Sequence, residues 1–149
     1  MPAHVFIAED ETSIISLLKY NLEKEGHKVS HCENGEDALK QIKLKHPDLI
    51  LMDWMLPDLS GVDICKNLKK DKKFNDIPII MLTAKGEEED KLKAFETGAD
   101  DYVTKPFSQK ELNARIKSLL RRAKPQSSSD IVEFIAVSYT HLTLPTIAK

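Results

Sequence analysis

Cysteine is scarce in this 149-residue chain: Cys32 and Cys65 are the only two, far apart, and neither has a histidine at the spacing a metal site needs. That excludes a disulfide framework or a zinc module as the basis of the fold and leaves both sulfurs as packing residues. Histidine occurs five times without forming a cluster, and His46 before Pro47 reads as a turn residue. The N-terminus lacks the basic segment and apolar core of a secretion signal, and no apolar run approaches the roughly 18 to 20 residues of a membrane span. A cytoplasmic protein with no membrane partner is expected. A dominant charge of either sign is also missing, since 22 Lys and Arg face 24 Asp and Glu for a net charge of -2. Such a balance gives no electrostatic reason to bind nucleic acid or an anionic membrane. Any action on DNA would have to come from another part of the protein.

What is present suffices for one domain with a core, plus a tail: 41% of residues are hydrophobic and 31% charged, ordinary values for a globular protein. The central stretch is Leu49-Ile-Leu-Met-Asp53-Trp-Met-Leu-Pro57, an apolar run that ends in one carboxylate and a Pro-containing loop. Similar short runs at His4–Ala8, Lys28–Cys32, Ile77–Leu82 and Asp101–Thr104 read as strands, with Pro78 at the entrance of its run, where a missing N–H does least harm. Helical spacing lies between them. Ile14, Ile15, Leu18 and Leu22 share a face that stops at Gly26, and Asn34 caps a helix through Ala38, Leu39 and Ile42 that ends before Pro47. Val62, Ile64, Cys65 and Leu68 mark a third helix after Gly61, a glycine expected to supply a permissive angle or a close approach. The basic run Lys69–Lys73 reads as its solvated end. A fourth helix runs from Gly86 to Gly98, and Ser108 with Glu111 has capping-box spacing before Leu112, Ile116, Leu119 and Leu120. Strands alternating with helices five times over predict an α/β, doubly wound (βα)5 parallel sheet.

Each candidate polar group falls just beyond a strand: Glu9 and Asp10 after the first, Asp53 at the third, Thr83 after the fourth and Lys105 after the fifth. In a parallel sheet of this kind those ends open onto one crevice where ligands collect. Taken alone, Asp53 would be read as a helix cap; its company reverses that. Three carboxylates without a cation would repel one another, so a hard divalent ion is expected, and Mg2+ fits best because it takes carboxylates, a backbone carbonyl and water while leaving room for a phosphate. Asp53 can then attack phosphorus and become an aspartyl phosphate. The metal ligands expected are Asp10 directly, Glu9 directly or through water, Asp53, and Met55 through its backbone carbonyl. Lys105 supplies a positive charge and Thr83 a hydroxyl donor to the phosphoryl oxygens.

Glu9-Asp10, Asp53, Thr83-Ala84 and Lys105-Pro106-Phe107, in this order and spacing, resemble the receiver domain of bacterial response regulators, over about residues 3 to 122. Asp53-Trp-Met-Leu-Pro57, Thr83-Ala-Lys-Gly-Glu87 and Thr97-Gly-Ala-Asp-Asp-Tyr102 are most similar to the OmpR/PhoB class. The resemblance implies a flavodoxin-like fold of strand order 2-1-3-4-5, phosphorylation of Asp53 by a sensor histidine kinase, and Mg2+ dependence. It implies a switch in which Thr83 turns toward the phosphoryl group and Tyr102 moves inward, and a cis Lys105–Pro106 peptide. A homodimer is implied through the fourth helix, fifth strand and fifth helix. Its cross-subunit pairs would be Lys91 with Glu111, Glu96 with Lys117 and Asp101 with Arg115, around Leu92, Phe95 and Ala114. Without the resemblance these charges are solvated helix positions worth about 0–1 kcal/mol each, Tyr102 is a half-buried strand aromatic, and Glu111 has a capping box to complete.

The domain reading is a receiver at 1–122, a linker at 123–129 and a tail at 130–149. The tail carries only Asp130, Glu133 and Lys149 as full charges. Members of the resembled class continue into a winged-helix DNA-binding domain. Asp130–Phe134 could begin one, but Ile135–Lys149 resembles no part of it, so a disordered or non-native ending, truncated or out of frame, is expected. Two rivals to the signalling switch are a metal-dependent phosphohydrolase with an Asp nucleophile and a phosphate-independent interaction module. The first usually wants an Asp two residues after the nucleophile, where Met55 stands; the second does not account for a complete set of site residues.

Overall fold

The computed structural model describes residues 3–84 and 98–123. Segments rich in β-branched and large aliphatic side chains become strands: β1 (His4–Ala8), β2 (Lys28–Cys32), β3 (Leu49–Asp53), β4 (Ile79–Ala84) and β5 (Asp101–Lys105). The helices are α1 (Thr12–Lys24), α2 (Gly35–Lys45), α3 (Gly61–Lys70) and α4 (Gln109–Ala123). The helix expected between Gly86 and Gly98 lies outside the described residues, so α4 is the last helix of the sequence reading.

All strand pairs are parallel, in the order β2-β1-β3-β4-β5. This is the doubly wound, flavodoxin-like sheet that the sequence predicts. Parallel neighbours need crossover connections, which cover both faces of the sheet with helices. Every residue of the central β3 is accordingly buried, whereas β2 at the edge is not. Alternate residues feed two cores. Val5, Ile7, Leu49, Leu51, Ile80 and Leu82 pack with Leu18 of α1 and with Leu112 and Ile116 of α4. Phe6, Ala8, Ile50, Met52, Ile79 and Met81 face Ala38 and Ile42 of α2 and Ile64, Cys65 and Leu68 of α3. Each fully buried Leu or Ile contributes about 1.5–3 kcal/mol, so β3, gripped from both sides, holds its terminal Asp53 at a fixed point.

Local chemistry sets the element ends. α1 stops where Gly26 takes φ +91°, a conformation that costs glycine nothing. Asn34 accepts from the Asp37 amide at 2.9 Å, Ser60 from Asp63 at 3.1 Å and Ser108 from Glu111 at 3.3 Å, capping α2, α3 and α4. Gly61 serves for close approach and not for backbone angle: a Cβ there would collide with the Asp53 carbonyl.

The basic run after α3 differs from its reading as a solvated end. Lys69 Nζ donates to the carbonyls of Asn75 (3.2 Å) and Ile77 (3.1 Å) and pairs with Asp100 Oδ2 at 3.0 Å. The same Asp100 oxygen accepts the Ile79 amide at 2.8 Å. One ammonium thus ties the α3–β4 turn to the entrance of β5. Lys69→Met, which keeps the aliphatic stem but strands these acceptors, is expected to cost about 2 kcal/mol in urea unfolding, against less than half that for Lys70→Met on the exposed side.

Candidate functional site

The carboxyl ends of four neighbouring strands bring the predicted polar residues together. Asp53 closes β3 and is 6% exposed; Glu9, just after β1, is fully buried, while Asp10 beside it is exposed. One oxygen from each of Glu9, Asp10 and Asp53 lies within 4.8 Å of the others. Lys105, at the end of β5, places Nζ 3.0 Å from Glu9 Oε1 and 3.4 Å from Asp53 Oδ1. Backbone donors complete the cluster: the Glu11 amide gives to Glu9 Oε2 at 3.1 Å and the Met55 amide to Asp53 Oδ1 at 3.3 Å. Thr83 is the penultimate residue of β4 and is buried, and the Met55 side chain is exposed.

Burial and, after it, the Glu9 charge push the Asp53 carboxyl up to about 7, with Lys105 and the Met55 amide pulling the other way. For Lys105, burial acts to lower the ammonium pKa, and its contacts with Glu9 and Asp53 outweigh that and raise it. Among the described residues, two buried atoms have no hydrogen-bond partner: the Thr83 hydroxyl and Glu9 Oε1, whose contact with Lys105 is an ion pair without hydrogen-bond geometry. An orphaned buried polar group costs about 1–3 kcal/mol and calls for a ligand or a functional reason. Among the described residues, at formal charges the three carboxylates exceed the one lysine at the site by two negative charges. The donors are all oxygen, so the set fits a hard divalent cation.

The model of the response regulator receiver domain family matches residues 5–117. The chain belongs to that family. A receiver of this kind is a phospho-accepting switch and not an enzyme. The phosphate regulon transcriptional regulatory protein PhoB of Escherichia coli (strain K12) is 45% identical over 138 residues, covering 93% of this chain and 60% of that protein. The alkaline phosphatase synthesis transcriptional regulatory protein PhoP of Bacillus subtilis (strain 168) is 50% identical over 124 residues, covering 83% and 51%. This receiver chain therefore spans only about half to three-fifths of the length of these regulators. Among solved structures, a response regulator from Chloroflexus aurantiacus J-10-fl superposes with TM-score 0.78 at 36% identity, over 80% of this chain and 98% of that one. The receiver domain of sensor histidine kinase PA1611 from Pseudomonas aeruginosa PAO1, solved with a magnesium ion coordinated in its active site cleft, gives 0.74 at 26%, again over 80% and 98%.

Other predicted receiver residues fall in three groups. Tyr102 is half-buried against the α2/α3 core and sits opposite Met81 in register, two positions before the Thr83–Thr104 pair and on the same sheet face. The Lys105–Pro106 peptide is cis, as the resemblance implies. Asp101, Glu111 and Arg115 are paired within the chain: one Arg115 terminal nitrogen reaches both Asp101 oxygens at 2.7 and 2.6 Å, and the other reaches Glu111 Oε2 at 3.1 Å. Glu111 has therefore put its carboxylate on Arg115. Lys117 approaches Glu25 at 3.7 Å, and Ala114 is exposed. Lys91, Leu92, Phe95 and Glu96 lie outside the described residues. No described helix is long and apolar enough to cross a membrane. The sequence reading missed Asp58, an exposed loop residue that caps α2 from a distance; the adjacent Asn34-Gly35 pair was the one hint that this helix start is crowded.

A carboxyl whose folded pKa is raised favours the fold fully below its unfolded value near 4, and that contribution is lost as pH rises through about 7. In metal-free protein the melting temperature of Asp53→Asn is therefore expected to gain on wild type as pH climbs from 4 to 7 and then hold a lead of about 5 °C. Added Mg2+ should close the gap by stabilising only the wild type.

Proposed function

We propose that this receiver accepts a phosphoryl group on Asp53 from a sensor histidine kinase and passes the change to a homodimer face, controlling transcription through an output domain outside this chain. The observation that carries the reading is the arrangement around Asp53: a buried carboxylate with a lysine ammonium 3.4 Å away and an unpartnered buried hydroxyl at the next strand end. Glu9, Asp10, Asp53 and the Met55 carbonyl would hold Mg2+, the ion that the receiver of PA1611 carries in its cleft. When bound, that ion neutralises charge on the carboxylates and on the incoming phosphoryl oxygens.

The free Asp53 oxygen attacks phosphorus in line with the leaving imidazole nitrogen of the kinase phosphohistidine. The P–N bond breaks, the nitrogen takes a proton, and an acyl phosphate forms. Lys105, held by Glu9 on one side, turns its charge to a phosphoryl oxygen. Thr83 donates its hydroxyl to another, gaining the partner it lacks among the described residues. The Thr83 movement opens space on the sheet face it shares with Tyr102, and the tyrosine follows inward. The dimer would use residues 91–96, β5 and α4, pairing Lys91 with Glu111, Glu96 with Lys117 and Asp101 with Arg115. Arg115 is already satisfied in its own chain, so dimerisation exchanges one set of exposed ion pairs for another at little net gain. The apolar contacts of Leu92, Phe95 and Ala114 must supply the affinity.

Incubation with Mg2+ and acetyl phosphate should add one phosphoryl group to the intact mass, and the modified protein should sediment as a dimer. Asp53→Asn should show neither change. Steady release of inorganic phosphate without a stable adduct would favour a phosphohydrolase, and an adduct on a persistent monomer would remove the dimer assignments.

A further inference from the structure

The loop between β3 and α3 carries Met55 and so would place the one backbone carbonyl proposed for the metal. Its two ends are pinned to the sheet and to each other: the Trp54 amide donates to the Leu82 carbonyl at 3.0 Å and the Gly61 amide to the Trp54 carbonyl at 3.1 Å. Gly61 lies against the Asp53 carbonyl so closely that no side chain would fit. Between those ends the Met55 amide donates to Asp53 Oδ1 at 3.3 Å, on the side of the metal cluster, and a second brace points away from it. Asp58 Oδ1 accepts the Gly35 amide at 2.6 Å and Oδ2 accepts the Glu36 amide at 3.1 Å. These are the first two N–H groups of α2, which the helix itself cannot satisfy. Gly35 has no room for a Cβ because the Leu59 carbonyl and Cβ occupy that space, so loop and helix meet backbone to backbone. The Gly35 hydrogen bond, with the Glu36 bond adding to it, holds the Asp58 carboxyl below its ordinary range. α2 has its own cap in Asn34, which accepts the Asp37 amide.

A carboxylate reaching 23 residues back in the chain to cap a helix that already has a local cap does something besides starting that helix. We propose that Asp58 is a positioning residue for the metal site: it clamps the β3–α3 loop onto the N-terminus of α2 and thereby holds the Met55 carbonyl where a cation shared with Glu9, Asp10 and Asp53 can use it. The inference rests on the reading of that cluster as a Mg2+ site. Asp58 itself is no ligand, and α2 becomes a rigid backing for the loop. Truncating Asp58 removes the loop's hydrogen-bonded tie to α2, leaving the Met55 amide contact with Asp53 and all four ligands in the chain.

The test is an NMR-detected Mg2+ titration of the full chain, following the Met55 amide. Asp58→Ala is expected to weaken Mg2+ binding about tenfold, within the range of outer-shell effects on metal affinity. Asp58→Asn, which still accepts from Gly35, should stay within about threefold of wild type, below that range. Asn34→Ala removes the local cap of α2 without touching the loop and should bind as wild type does. Asp10→Asn should abolish saturable binding. Wild-type affinity in Asp58→Ala with none in Asp10→Asn would overturn the positioning role while leaving the site reading intact. Equal weakening in Asn34→Ala and Asp58→Ala would also overturn it, because loss of α2 stability would then be the cause. No saturable response in the wild type would remove both readings.

Discussion

The ammonium of Lys105, 3.0 Å from Glu9 and 3.4 Å from Asp53, is the contact on which the rest of the site depends. Glu9 and Asp53 are both buried, and two carboxylates cannot be desolvated side by side without a cation to offset them. Lys105 supplies one positive charge to the pair, and Asp53 still sits near 7 because burial and Glu9 together outweigh it. In the proposed reaction an additional cation would favour the carboxylate, the form that would attack phosphorus. In the proposed function, the unbalanced charge of this cluster is the property that would make it responsive to metal and phosphoryl ligands.

The fold makes this concentration of charge tolerable. β1, β3, β4 and β5 end at one edge of a sheet covered on both faces, and the apolar side chains of β3 hold Asp53 from both cores. The unfavourable cluster lies outside those cores, at the carboxyl ends where backbone amides such as those of Glu11 and Met55 can reach the acids.

The parts of this arrangement readable in the sequence were those in which local pattern and function coincide. Apolar strands ending in Glu9, Asp53, Thr83 and Lys105 announced themselves because a buried strand is a run of aliphatic residues and its end is where polarity returns. Asn34 and Ser108 were readable as caps because a cap acts within three residues of itself. Lys69 and Asp58 were not, since their partners lie as far as 31 and 23 residues away in the chain. A basic run and a loop aspartate carry no local mark of such distant acceptors and donors. Gly61 was readable as special but not in which sense, because close approach and positive φ leave the same single letter. The relative burial of Glu9 and Asp10 was equally hidden: adjacent acids at a strand end point in different directions, and only the fold decides which one goes inward.

Because Lys105 occupies the charge environment that a divalent ion would share, the most direct measurement is the Mg2+ affinity of Lys105→Met at low ionic strength, followed through Trp54, the chain's single tryptophan and the residue next to Asp53. If the lysine serves as the resident counter-charge, its removal deepens the negative potential and Mg2+ should bind several-fold more tightly than to wild type. Weaker binding would contradict this, showing that Lys105 instead holds the carboxylates in the geometry the ion requires.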